Sequence, residues 1–217
     1  MRISTRLAGG ATLGLLISVF VAGCSSSAAP APTAAAASPS ARPSPSPAAA
    51  GAIPTEQPLA PETSPAGDIP DNQVFVAYAS PTGGYQLQVP EGWARTDQGS
   101  DVRFVSKLDG VQVALTSATS TPTAASVQAN PGYVQSFGRA VQVIKMQDVQ
   151  LPAGPAVLVD FASNSDPDPV TGKQVRLENN TYLISKNGKL ATLTLWAPQG
   201  ADNVDQWQQM AQSFSWQ

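Results

Sequence analysis

From Ser25 to Pro70 the chain is written almost entirely in Ala, Pro, Ser and Thr, and eleven of its 20 prolines fall there. This stretch limits the fold more than any other feature. Ile53, Leu59 and Ile69 are its only large apolar side chains, and Arg42, Glu56, Glu62 and Asp68 its only charges. Such a composition cannot bury enough surface to offset the entropy of ordering the backbone, so residues 24–70 are expected to be a disordered tether. As a flexible coil its ends would lie about 40 Å apart, and as a full polyproline helix about 140 Å. The fold must therefore be built from residues 71–217, a normal length for one domain around one core.

The segment before the tether has a different chemistry. Arg2 and Arg6 precede an apolar run from Leu7 to Phe20, interrupted by Gly9, Gly10 and Gly14. The run is too short and too broken for a spanning helix, which needs about 20 apolar residues, and residues 1–23 read as an export signal. It closes on Val21-Ala22-Gly23-Cys24, and Cys24 is the single cysteine of the chain. Small residues before the cut suit a peptidase that takes an extended backbone, and the thiolate accepts a diacylglyceryl group. Cleavage is expected after Gly23 and lipidation at Cys24. Two acyl chains hold a protein on a bilayer where one is marginal. The expected location is extracytoplasmic, on the outer face of the cell membrane.

Residues 71–217 carry nine Lys or Arg and twelve Asp or Glu, and the whole chain has a net charge of -3. Nucleic acid is excluded as an expected partner, because phosphate binding needs clustered positive charge. The chain has no histidine. That removes Ser-His-Asp and Cys-His catalysis and imidazole metal sites together, and lipidation takes the only thiol. Ser185-Lys186 lacks a supporting motif and reads as a strand end. Asn164, Asp166 and Asp168 alternate like calcium ligands, but Pro169 and Val175 stand where a calcium loop needs Gly and Glu. Gly172-Lys173 lacks the upstream glycine and the following Ser or Thr of a phosphate loop. Asn179-Asn180-Thr181 matches a glycosylation acceptor only incidentally. No catalytic, cofactor or metal residue is therefore assigned, no cofactor is expected, and the chain is expected not to be an enzyme. Trp93, Trp196 and Trp207 read as packing residues, whereas Trp216 could be a surface contact.

Apolar and polar residues alternate at period two over 74–78, 85–89, 102–106, 111–115, 141–149, 156–162, 174–184 and 190–196, which predicts strands. Asn187-Gly188 is a type I′ hairpin signal that sets Ile184 opposite Ala191 and Tyr182 opposite Leu193. Asp109-Gly110 predicts a second turn. Between 156–162 and 174–184 the pattern pairs Val159 with Leu177, Phe161 with Val175 and Asp160 with Arg176. Val175 and Leu177 have opposite parity to Tyr182 and Ile184, so either a bulge at Asn179-Asn180 reverses the strand or both faces are covered. Coverage is the better reading, because Val204, Trp207, Met210, Ala211 and Phe214 mark a helix from about 203 to 214, with Asp202 as its N-cap. A broken helix is expected over 124–138, interrupted at Asn130-Pro131-Gly132. The fold class is α+β, a mostly antiparallel sheet with helices packed on it.

The stretch Tyr85 to Trp93, a strand running into Pro-Glu-Gly-Trp, resembles the opening of the PsbP/Mog1-like fold. Asn187 to Pro198, followed by a helix closing on Gln212-Ser213-Phe214, resembles its end. With the Cys24 motif and the tether, the chain is similar to the LpqN-type lipoproteins of actinobacteria. The resemblance implies an α/β/α sandwich over residues 71–217 and an envelope lipoprotein without catalysis. It carries over no site: photosystem members use histidine ligands, and nuclear-transport members bind a small GTPase inside eukaryotic cells. The expected function is a non-catalytic protein-binding or scaffold module for an unidentified envelope protein, expected as a monomer; the alternative is a carrier of an apolar or glycan ligand held between sheet and helices.

Overall fold

A computed structural model describes residues 56–61 and 66–217; the export signal, Gly23, Cys24 and most of the tether lie outside the described residues. Ten strands and three helices follow in order: β1 (Phe75–Ala79), β2 (Tyr85–Pro90), β3 (Ala94–Gln98), β4 (Asp101–Ser106), β5 (Asp109–Ser117), α1 (Ala124–Gln128), α2 (Pro131–Gln135), β6 (Arg139–Leu151), β7 (Gly154–Asn164), β8 (Arg176–Lys186), β9 (Lys189–Pro198), α3 (Val204–Ser213) and β10 (Ser215–Trp216). Seven of the strands make one antiparallel sheet in the order β3-β4-β5-β9-β8-β7-β6, and β1-β2-β10 make a small second one.

The large sheet is packed on both faces, the alternative preferred to a bulge at Asn179-Asn180, and β8 pairs without a bulge. Leu87, Ile184, Leu193, Leu195, Met210 and Phe214 belong to a core between one face and a layer made of α3 and the small sheet. Val157, Val159, Phe161 and Leu183 form a second core with Val127 of α1 and Val134 of α2 on the opposite face. The expected sandwich holds, with one outer layer half sheet and half helix. Asn187 and Gly188 both have positive φ, and the hairpin they make sets Tyr182 opposite Leu193 and Ile184 opposite Ala191 as expected.

Several local expectations are corrected. The β4–β5 turn is Lys107-Leu108, with Ser106 paired to Asp109, so Gly110 lies inside a strand. The β7–β8 register differs by four residues: Val159 faces Thr181, Asp160 faces Asn180, and Arg176 faces Asn164. The reason is the connection, which closes through Ser165 N–H to Val175 O at 2.9 Å and Asp168 N–H to Lys173 O at 2.9 Å and so seats Val175 opposite Ser165 instead of Phe161. Asp202 does not cap α3; Asn203 holds that position, yet its side chain accepts from Ile69 N–H at 2.6 Å and donates to Gly67 O at 2.8 Å. Trp216 is half-buried, edge-on to Phe214 with ring centroids 5.4 Å apart, and packs on the core rather than reaching outward. β3 was not expected, because all five of its residues are exposed and no apolar face marks it.

The packed chain also starts earlier than Asp71. Ile69 is buried in the core, and Glu56 and Leu59 bond to the far end of β7. The described parts of 56–69 thus attach along the end of the large sheet where β7 finishes and β8 begins.

Candidate functional site

The two short helices cover only part of their face of the large sheet. Cross-strand rows show the transition. One row runs Phe161, Asn179, Trp196, Gly110 and Val105 from β7 to β4, and the next runs Val159, Thr181, Thr194, Gln112 and Arg103. Each begins in the core with α1 and α2 and turns polar beyond β7. The open half is a groove of about 790 Å3, walled by Phe137 after α2 and by the β7–β8 connection. A second hollow of about 440 Å3 shares Arg103, Val105 and Gln112 with it and extends toward β3.

The floor is built rather than merely exposed. Thr181 Oγ1 and Thr194 Oγ1 are 2.9 Å apart and share a hydrogen bond. Buried Asn179 donates through Nδ2 to Phe161 O at 3.2 Å and to Ser163 Oγ at 2.9 Å. Trp196 lies flat over Gly110 and is only 8% exposed; a Cβ at Gly110 would fall 1.8 Å from its Cζ2. Arg103 covers the other side of the indole, its Cζ 4.7 Å from the ring. The face of Trp196 is thus closed below by backbone and above by a guanidinium. Stacking of this kind orients the planar cation and leaves its N–H groups for a partner.

The rim is a charged network. Arg176, 2% exposed, donates to Ala140 O at 2.9 Å, Asn164 Oδ1 at 2.9 Å and Gln142 Oε1 at 2.7 Å. Burial lowers the pKa of its guanidinium. Asn164 in turn holds the segment before the domain: its Oδ1 accepts from Leu59 N–H at 3.0 Å, and its Nδ2 donates to Gln57 O at 2.9 Å and Glu56 Oε1 at 2.7 Å. Glu56 also accepts from Gln174 Nε2 at 2.9 Å and pairs with Arg139 at 2.6 Å. The hydrogen bond from Asn164, then those from Gln174 and Arg139, hold its carboxyl below the usual range.

The residues weighed from sequence do not converge. Asp168 Oδ1 accepts from Val170 N–H, Thr171 N–H and Thr171 Oγ1 at 3.0, 2.7 and 2.9 Å, which keeps its carboxyl below the ordinary value. Asn164 serves Arg176 and the 56–59 segment instead of Asp168. Ser185-Lys186 closes β8 at the Asn187-Gly188 turn, and Gly172-Lys173 lies in the β7–β8 connection. Asn179 and Thr181 belong to the floor of the open half.

Outside the groove, one titratable group stands out. Asp109 is 6% exposed, its Oδ1 has no hydrogen-bond partner, and burial followed by the charge of Asp68 pushes its pKa up to about 7. It lies beneath Gly67, whose Cβ position is 2.8 Å from Asp109 Oδ1. The folded carboxyl keeps a proton that the unfolded chain releases near pH 4. Stability is therefore full below about pH 4, falls as pH rises, and is lowest above about pH 7. Asp109→Asn is expected to match wild type at pH 4 and to exceed it by up to about 4 kcal/mol at pH 8. Chemical denaturation at the two pH values checks this; equal stability of the two proteins at pH 8 would refute it.

No protein-family model and no curated protein matches the chain. Among solved structures it is similar to the cyanobacterial PsbP of Synechocystis sp. PCC 6803, at 15% identity and TM-score 0.48, covering 70% of this chain and 98% of that one. It is similar also to the Ran-binding protein Mog1p of Saccharomyces cerevisiae, at 10% identity and TM-score 0.45, covering 66% and 95%. A third is the protein of unknown function PA94 of Pseudomonas aeruginosa, at 17% identity and TM-score 0.40, covering 64% and 94%. PsbP and Mog1p are the two groups that the Tyr85–Trp93 resemblance names.

Proposed function

We propose that the chain is an exported lipoprotein, held at the outer face of the cell membrane through lipidated Cys24, whose domain binds another envelope protein without catalysing a reaction. The observation that carries the binding reading is the open half of the large sheet, where Trp196 and Arg103 are stacked above a floor of bonded hydroxyls and amides. A sheet surface this polar would leave nothing orphaned when hydrated, yet it is flat and rigid enough to dock a partner. The net charge of -3 speaks against nucleic acid. The second reading is a carrier: Val105, Phe137, Leu177 and Trp196 beside the hydroxyls and amides give the groove a mixed lining that suits a glycan with apolar faces.

A photo-reactive residue at Thr194, compared with one at exposed Val74 outside the groove, tests the reading in native membranes. A second polypeptide joined at position 194 and not at 74 is expected. A glycan adduct at 194 would replace protein binding by the carrier reading, and equal labelling at both positions would remove the groove from function. In the same membranes Cys24→Ala is expected to leave the membrane fraction or to persist as unprocessed precursor. Full processing with unchanged retention would refute the anchor.

A further inference from the structure

We propose that the groove takes an acidic, extended polypeptide segment, with Arg103 on Trp196 as its central anchor; this rests on the reading of the groove as the binding surface.

Charge complementarity is the first argument. Arg103, Lys107, Arg139 and Lys173 line the groove; Arg139 is paired with Glu56, and Lys173 shares the β7–β8 connection with Asp166 and Asp168, so the excess positive charge falls to Arg103 and Lys107 on the β4 side. The groove is thus cationic on a chain whose net charge is -3. A cationic recess draws anionic segments.

The rim shows how such a segment is held. Asn164 Nδ2 donates to Gln57 O while its Oδ1 accepts from Leu59 N–H, so one amide side chain reads the peptide backbone on either side of Pro58. Beside it, Arg139 and Gln174 hold the Glu56 carboxylate. A stretch of polypeptide with one carboxylate is therefore already bound at the groove's edge by residues that line or adjoin it. Farther in, the groove offers the same two chemistries: amides and hydroxyls at Asn179, Thr192 and Thr194, and a guanidinium at Arg103. A glycan is less well served, because the Arg103 guanidinium lies over the only open face of Trp196 and leaves no bare aromatic surface for a sugar ring. A planar, stacked guanidinium instead suits a carboxylate, which it binds through two parallel hydrogen bonds.

The test uses the full-length lipoprotein in detergent and fluorescein-labelled peptides of alternating Glu-Ser, Gln-Ser and Lys-Ser, with a chondroitin sulfate oligosaccharide as competitor. The Glu-Ser peptide is expected to bind, the other two not, and its affinity to fall with added salt. Arg103→Gln is expected to weaken it about tenfold or more, and Arg103→Lys to recover only part of the loss. Arg95→Gln is the control for net charge, because Arg95 pairs with Asp97 and lies over Tyr78, on the other face of the sheet. It should leave affinity unchanged. Equal binding of the Glu-Ser and Gln-Ser peptides, no effect of Arg103→Gln, or no binding of the Glu-Ser peptide would each overturn the proposal. A polypeptide captured at position 194 without binding of the Glu-Ser peptide would refute the acidic preference alone, whereas failure of both would remove the groove as well.

Discussion

Gly110→Val is expected to lower stability by about 3 kcal/mol, through overpacking of a buried ring. The Cβ of any larger residue would lie 1.8 Å from Trp196 Cζ2 and 2.3 Å from Cε2 and Cη2, deep inside van der Waals contact. Neither partner can yield cheaply. Gly110 is paired with Trp196 across β5 and β9, between Val105 and Asn179 of the adjoining strands, so the backbone cannot retreat without breaking ladders on both sides. The indole could only rise into the groove, which would displace the Arg103 guanidinium from its stack. Two signals should therefore move together: the midpoint of chemical denaturation falls, and tryptophan fluorescence shifts as the ring becomes wetter. Gly110→Ala should show the same signs at smaller size. Wild-type stability of the valine variant would mean that the ring does not rest on this strand.

This glycine marks the boundary of what the sequence discloses. Asp109-Gly110 has the composition of a hairpin turn, and read locally it is one. The turn lies two residues earlier, at Lys107-Leu108, because a residue without a side chain was needed opposite Trp196, which is 86 positions away in the chain. Period-two alternation located eight of the ten strands approximately; it was silent on β3, whose five residues are all exposed, and on β10, whose two residues are too few to alternate. The Asn187-Gly188 hairpin was legible down to its register because two residues with positive φ fix the pairing locally. The β7–β8 register was not, because a long connection can close at several points and its own hydrogen bonds decide which. Parity also showed that both faces of the sheet are buried, but alternation alone cannot say how far a short helix extends across a face. The groove lies in that gap. Arg103 comes from β4 and Thr194 and Trp196 from β9, with β5 between them, and nothing in either segment brings them together.

The second large effect is expected at Arg176. Its guanidinium is 2% exposed and, among the described residues, meets no carboxylate; Ala140 O, Asn164 Oδ1 and Gln142 Oε1 are its partners. A charge buried among neutral acceptors carries a desolvation cost, so its retention has to be explained by what it organises. It fixes Asn164, and Asn164 fixes the 56–59 segment. Arg176→Met keeps the length of the stem but leaves Ala140 O and Asn164 Oδ1 with fewer donors in a buried site, and a loss of about 3 kcal/mol is expected. The sharper consequence is local. Hydrogen exchange at Leu59 N–H should accelerate in this variant, because the Asn164 oxygen that receives it is no longer held, whereas Glu56→Gln should change global stability little, since the Arg139 pair it weakens is half exposed. Slow exchange at Leu59 in Arg176→Met would show that the segment is held by Glu56 rather than by Asn164. Fast exchange would make Arg176 the residue that sets where the 56–59 segment joins the rim of the groove.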